Sequence, residues 1–168
     1  VHLRIAPALR KAGHMDEAVA EFETAATELR DAPWGTPHRE DLLGQALIEL
    51  GEACEAASAG SAAVAAYEEA AAVYEAAGQP REAAGAHHRL GRALAAAGDL
   101  AGAECHIEAH LDYYRSLGDP AALLTPLREA GAAYLRAAKA DPSAAGARAE
   151  SCFAEFLRTQ ARVDGSAL

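Results

Sequence analysis

Residues 87–110 read HHRLGRALAAAGDLAGAECHIEAH. Leu90 and Leu94 lie four apart around Gly91, and Ala103, Ile107 and His110 follow at spacings of four and three. Spacing of three and four is helical. Gly98-Asp99 interrupts it, so the stretch reads as two helices joined by a tight turn. The small residues Gly91 and Ala103 let those helices approach closely. The same register recurs 40 residues away on both sides, at Leu50-Gly51 and at Ala130-Gly131. A second marker keeps the step: Tyr74-Glu-Ala-Ala-Gly78-Gln79-Pro80 matches Tyr114-Arg-Ser-Leu-Gly118-Asp119-Pro120. The Ala103/Ile107/His110 pattern has counterparts in Ala18/Phe22/Ala25, in Ala63/Tyr67/Ala70 and, after six inserted residues, in Ala149/Phe153/Phe156. A fixed period of this length marks a repeat architecture.

Glycine followed by Pro80 or Pro120 ends one helix and opens the next. Asp141-Pro142 is a cap and first-position signal for the last helix, and Pro126 is expected to bend the helix that holds it. The spacing predicts helices over 2–12, 15–31, 37–58, 61–77, 80–97, 100–117, 120–140 and 142–163. One hairpin cannot bury its apolar face alone, so neighbours must stack. The expected fold is all-α, an α-α superhelix (solenoid) of about four helix hairpins over 1–168. Its repeats are placed at 1–35, 36–79, 80–119 and 120–165.

Composition supports this reading. Of 168 residues, 47 are alanine and only 29 are Leu, Ile, Val or Phe. So few large apolar residues at a net charge of −10 would ordinarily signal disorder. Alanine is the best helix former, and close helix approach replaces the missing volume. Scarce Val, Ile and Thr argue against a sheet. No charge-free apolar run is long enough to span a membrane, and no basic-then-apolar leader is visible. The acidic balance disfavours direct nucleic-acid binding. Cys54, Cys105 and Cys152 are odd in number and far apart, which fits a reducing cytoplasm better than a disulfide framework. Arginine outnumbers lysine 13 to 2 and asparagine is absent, a composition associated with GC-rich genomes.

The repeat resembles the tetratricopeptide repeat, whose small–large signature is W-x2-L-G-x2-Y followed by A-x3-F-x2-A. His87-x2-Leu90-Gly91-x2-Leu94 with Ala103-x3-Ile107-x2-His110 carries the likeness, as do Leu47-x2-Leu50-Gly51-x2-Cys54 with Ala63-x3-Tyr67-x2-Ala70. Leu127-x2-Ala130-Gly131-x2-Tyr134 adds a third match. The period of 40 exceeds the family's usual 34 and is similar to the longer repeats of bacterial regulators and scaffolding adaptors. The resemblance implies a groove lined by the first helix of each hairpin. Carried over residue by residue, its positions are Ile48, Glu52 and Glu55; then His88 and Arg92; then Arg128, Leu135 and Arg136, with Arg10 and Lys11 from the first repeat. Residues 121–168 hold 6 basic and 5 acidic groups against 9 and 20 in residues 1–120, so the later half of this groove is the more basic. Guanidinium groups there suit carboxylates or an acidic peptide. The asparagine-and-lysine clamp of the family's chaperone-tail binders has no counterpart here.

The expected function is therefore a non-catalytic module that binds a protein or peptide, a scaffold or regulatory interaction domain. The alternative is the sensor domain of a bacterial transcriptional regulator, taking a signalling peptide or small ligand. A third reading, a histidine-bound metal protein, rests on His106 and His110 four apart on one helix, with Cys105 beside them and His87 expected to approach His110. His87 and His110 occupy core positions of the repeat, where an imidazole usually fills space and hydrogen-bonds. No phosphate-binding or nucleophile motif is present, and no cofactor is expected. Trp34, in Pro33-Trp34-Gly35-Thr36-Pro37, is an interface candidate or a residue folded over a helix gap. Phe153, Phe156 and Leu157 form an apolar stripe on the last helix, either used inward or available for a two-fold homodimer. Whether the chain is complete or a piece of a longer array or regulator stays open.

Overall fold

The computed structural model describes residues 2–33, 38–138 and 142–166. Among them run eight helices: α1 (His2–Ala12), α2 (Met15–Asp31), α3 (Arg39–Ala56), α4 (Gly60–Ala76), α5 (Pro80–Ala97), α6 (Leu100–Ser116), α7 (Pro120–Ala137) and α8 (Pro142–Ser166). No strand occurs among the described residues. The all-α class of stacked helix pairs read from the periodicity is the class observed. No helix of the described residues is long and apolar enough to cross a membrane.

Helix ends follow local chemistry. Asp99 accepts from the Gly102 N–H at 2.9 Å to cap α6, and Asp119 accepts from the Ala121 N–H at 2.9 Å to cap α7. α3 stops at Ala56, two residues earlier than the spacing predicts, because Ser58 turns left-handed (φ 61°). Forty residues later the same slot is Gly98, at φ 89°. Arg39 holds the end of α2, its Nε donating to the Leu29 carbonyl at 2.8 Å and its Nη2 to the Arg30 carbonyl at 2.9 Å. α7 runs on past Pro126 to Ala137. The expected cap Asp141 lies outside the described residues.

Contacts group the chain into two compact units, 1–86 and 87–168, with the boundary inside α5. In the first unit α1 packs on α2, α2 on α3, and α3 on α4. Its core joins Ala25, Leu43, Leu47, Ala70 and Tyr74, with Ile48 packed against it. In the second unit α6 packs on α7 and α7 on α8. Ile107, Leu111, Leu127 and Tyr134 centre its core, and Phe153 and Phe156 pack onto them.

The register glycines explain the repeat. A Cβ at Gly51 would lie 2.3 Å from the Tyr67 ring, one at Gly131 2.8 Å from the Phe153 ring, and one at Gly91 2.7 Å from Ile107 Cγ1. Each small residue of a first helix is thus the notch that admits the large residue of the second. The first hairpin uses alanine: Ala6 and Phe22 are both fully buried and 16 apart, the spacing of Gly51 and Tyr67.

Two glycines should therefore respond with opposite sign to the same change. At Gly91 the added methyl also meets Ala103 O at 3.1 Å and Ile107 N at 3.2 Å, which are backbone and cannot rotate away. Gly91→Ala should lose about 1–3 kcal/mol by overpacking, outweighing alanine's helix preference. Gly146, inside α8, has nothing within 4 Å, so Gly146→Ala should gain up to about 1 kcal/mol. Urea unfolding of both variants checks the pair. Ser58→Gly should add roughly 1 kcal/mol in the same assay by relieving the left-handed serine.

Candidate functional site

In the 1–86 unit the expected groove residues are engaged in the fold. Ile48 packs on the core. Arg10 of α1 bridges to α3, its Nη2 2.7 Å from Glu49 and its Nη1 2.6 Å from Glu52. Glu55 accepts from the Tyr67 hydroxyl at 3.1 Å, which ties α3 to α4. Lys11 is exposed. Arg10, Glu52 and Glu55 are thus taken up by pairing between neighbouring helices.

The 87–168 unit differs. Glu129 of α7 brings Oε2 within 3.7 Å of His88 Nε2 on α5, so these first helices lie side by side. The His88 ring stands 4.8 Å from that of His110 on α6. His110 is only 4% exposed and meets the Tyr114 ring edge-on at 5.1 Å. Arg92 is half-buried, while Arg128, Arg136 and Leu135 are exposed, Leu135 at 53%. Burial holds the His88 imidazole down at about 4, with His110 and the guanidiniums of Arg92, Arg89 and Arg136 acting the same way. At neutral pH this ring is uncharged.

The histidines pair differently from the sequence expectation. His87 meets His106, Nδ1 to Nδ1 at 3.1 Å with rings stacked at 5.1 Å, and His88 rather than His87 meets His110. Successive residues on a helix point about 100° apart, so 87 and 88 face different turns of α6. Cys105 is exposed, whereas Cys54 and Cys152 are buried. Burial raises both buried thiols, Cys152 to about 11, which keeps them protonated. Glu129 was missed. It lies 80 residues after Glu49, two repeat steps, and the register alone places it on the same face.

Of the apolar stripe, Phe153 lies at the Gly131 notch and Phe156 packs against the core, both partly buried. Leu157 is outward, 66% exposed. Trp34 lies outside the described residues. Second helices are joined across hairpins by forked pairs. Arg30 holds Glu69 with two bonds of 2.6 Å, and Arg115 holds Glu155 at 3.2 and 2.9 Å. Arg115 also reaches Glu108 and Asp112. Beside this network an open cleft of about 380 Å³ is lined by Tyr114, Leu123, Arg158 and Arg162 among others.

No protein-family model and no curated protein matches the chain. Among solved structures, the crystal structure of BtubC (BKLC) from P. vanneervenii is similar, with a TM-score of 0.62 at 15% identity, covering 95% of this chain and 78% of that one. At that identity the likeness is one of fold.

The depressed histidine fixes a pH dependence. Unfolded, His88 titrates near 6.5; folded, near 4. Between those values the unfolded chain binds the extra proton, so stability is full above about pH 6.5 and falls as pH drops toward 4. The loss should reach about 2–3 kcal/mol. Thermal unfolding in EDTA across this window should show the decline, and His88→Gln should flatten it.

Proposed function

We propose that the chain is a non-catalytic helical-repeat module of tetratricopeptide type that binds an acidic protein segment or peptide. The reading rests on one observation. In the 87–168 unit the first-helix positions Arg128, Leu135 and Arg136 remain exposed, while the matching positions of the other unit are taken up by Ile48 packing and by the Arg10–Glu52 and Tyr67–Glu55 contacts. Two outward guanidiniums flanking an outward leucine offer carboxylate forks and an apolar anchor on one helix. Arg92 on the neighbouring helix α5 extends the positive surface. Such a face takes an extended or helical segment by the groove mode, with affinity spread over several side chains.

A displayed library of random peptides, panned on the chain, tests this. The wild type should enrich acidic peptides carrying at least one large apolar residue. Binding of a fluorescein-labelled winner should weaken as salt rises, since exposed charges are screened over about 8–10 Å at physiological salt. Arg92→Ala/Arg128→Ala/Arg136→Ala together should weaken it by tenfold or more, corresponding to about 1.4 kcal/mol. Peptides that bind the triple variant as tightly as the wild type, or a library from which nothing is enriched, would overturn the proposal.

A further inference from the structure

The geometry points to a binding site for a first-row divalent cation of the zinc class, held by His88, His110 and Glu129. One ligand atom from each lies within 4.8 Å of the other two, and His88 Nε2 stands 3.7 Å from Glu129 Oε2. Zinc bound at about 2.0–2.2 Å sets tetrahedral ligand atoms roughly 3.3–3.6 Å apart, so closure on the order of 1 Å completes the set. Three consecutive helices, α5, α6 and α7, supply one donor each. His110 is 4% exposed, the His88 side chain 19% and the Glu129 side chain 43%. The donors thus grade from buried to open, which gives an ion a path from solvent.

The repeat register supplies an independent argument. Glu129 occupies the position that Glu49 holds two repeat steps earlier. The Glu49 carboxylate meets a cation, the Arg10 guanidinium, at 2.7 Å. The Glu129 carboxylate meets an imidazole whose ring lies tilted against a second one. Where one unit sets a guanidinium against the carboxylate, the other sets two nitrogen donors of the kind that zinc, nickel and cobalt take. Arg89, Arg92 and Arg136 act on His88 and disfavour further positive charge there. The Glu129 carboxylate offsets part of that effect, so affinity should depend strongly on it. Three protein donors leave a fourth position for water.

Zn2+ itself is the probe, titrated into the chelator-stripped full chain against a chromogenic zinc indicator. One Zn2+ per chain is expected, with a melting temperature that rises with free Zn2+. His88→Gln and Glu129→Gln should each weaken binding by more than the about 10–100-fold that accompanies loss of an outer-shell partner. His87→Gln removes a member of the adjacent His87–His106 pair and should leave binding unchanged. Co2+ in place of Zn2+ should give the visible bands of a four-coordinate nitrogen–oxygen site, absent in Glu129→Gln. Should His88→Gln unfold, the partly exposed Glu129→Gln decides alone. Absence of stoichiometric Zn2+, or Zn2+ and Co2+ signals that Glu129→Gln leaves intact, would overturn the site.

Discussion

Everything in this chain depends on a missing side chain. Gly51, Gly91 and Gly131 stand where a methyl would overlap Tyr67, Ile107 and Phe153. Removing that methyl lets two antiparallel helices close until backbone and large side chain touch. The gain is dispersion and burial rather than any one strong bond, because many weak contacts form at once. The repeat step follows from the notch. Each hairpin must present a small residue to the turn of its partner that carries the large one, so added residues are accommodated away from that contact. The six residues inserted in the last repeat fall between Gly131 and Phe153, and the contact is still made.

On this common frame the two units use their polar residues differently. Between second helices the chemistry is the same in both. Arg30 and Glu69 lie 39 apart, Arg115 and Glu155 40 apart, and each pair forms a two-bond fork. These are exposed pairs, each contributing about 0–1 kcal/mol, and the fork geometry fixes orientation more than it adds stability. Between first helices the chemistry diverges, with guanidinium–carboxylate bonds in one unit and imidazole beside carboxylate in the other.

The fold was legible because its determinants are local. Glycine, aspartate and proline mark helix ends by their own backbone preferences, and spacing of three and four survives in an alanine-rich chain. Boundaries slipped where a residue adopted an improbable conformation, as Ser58 does at the end of α3. The candidate site was less legible, for three physical reasons. Whether Glu52 or Glu55 faces solvent depends on Arg10 and Tyr67, which arrive from other helices. The partner of His110 is set by a rotation of one residue along α5, which periodicity does not resolve. Phe153 reads equally as an inward or an outward residue until Gly131 is known to be its socket. Glu129 could have been found, since the register that places Glu49 also places it.

Among the described buried apolar residues, 21 of 35 are alanine. A methyl group has no rotamers to surrender on folding, so this interior forms with little loss of side-chain entropy. It also has no rotamers with which to answer a change. A leucine-rich core absorbs an altered neighbour by repacking; an alanine-rich one passes the strain directly to the backbone. Evolution of such a chain is thereby channelled outward. The interior admits few alternatives, while exposed first-helix positions such as Arg128, Leu135 and Arg136 are free to change partner without renegotiating the scaffold.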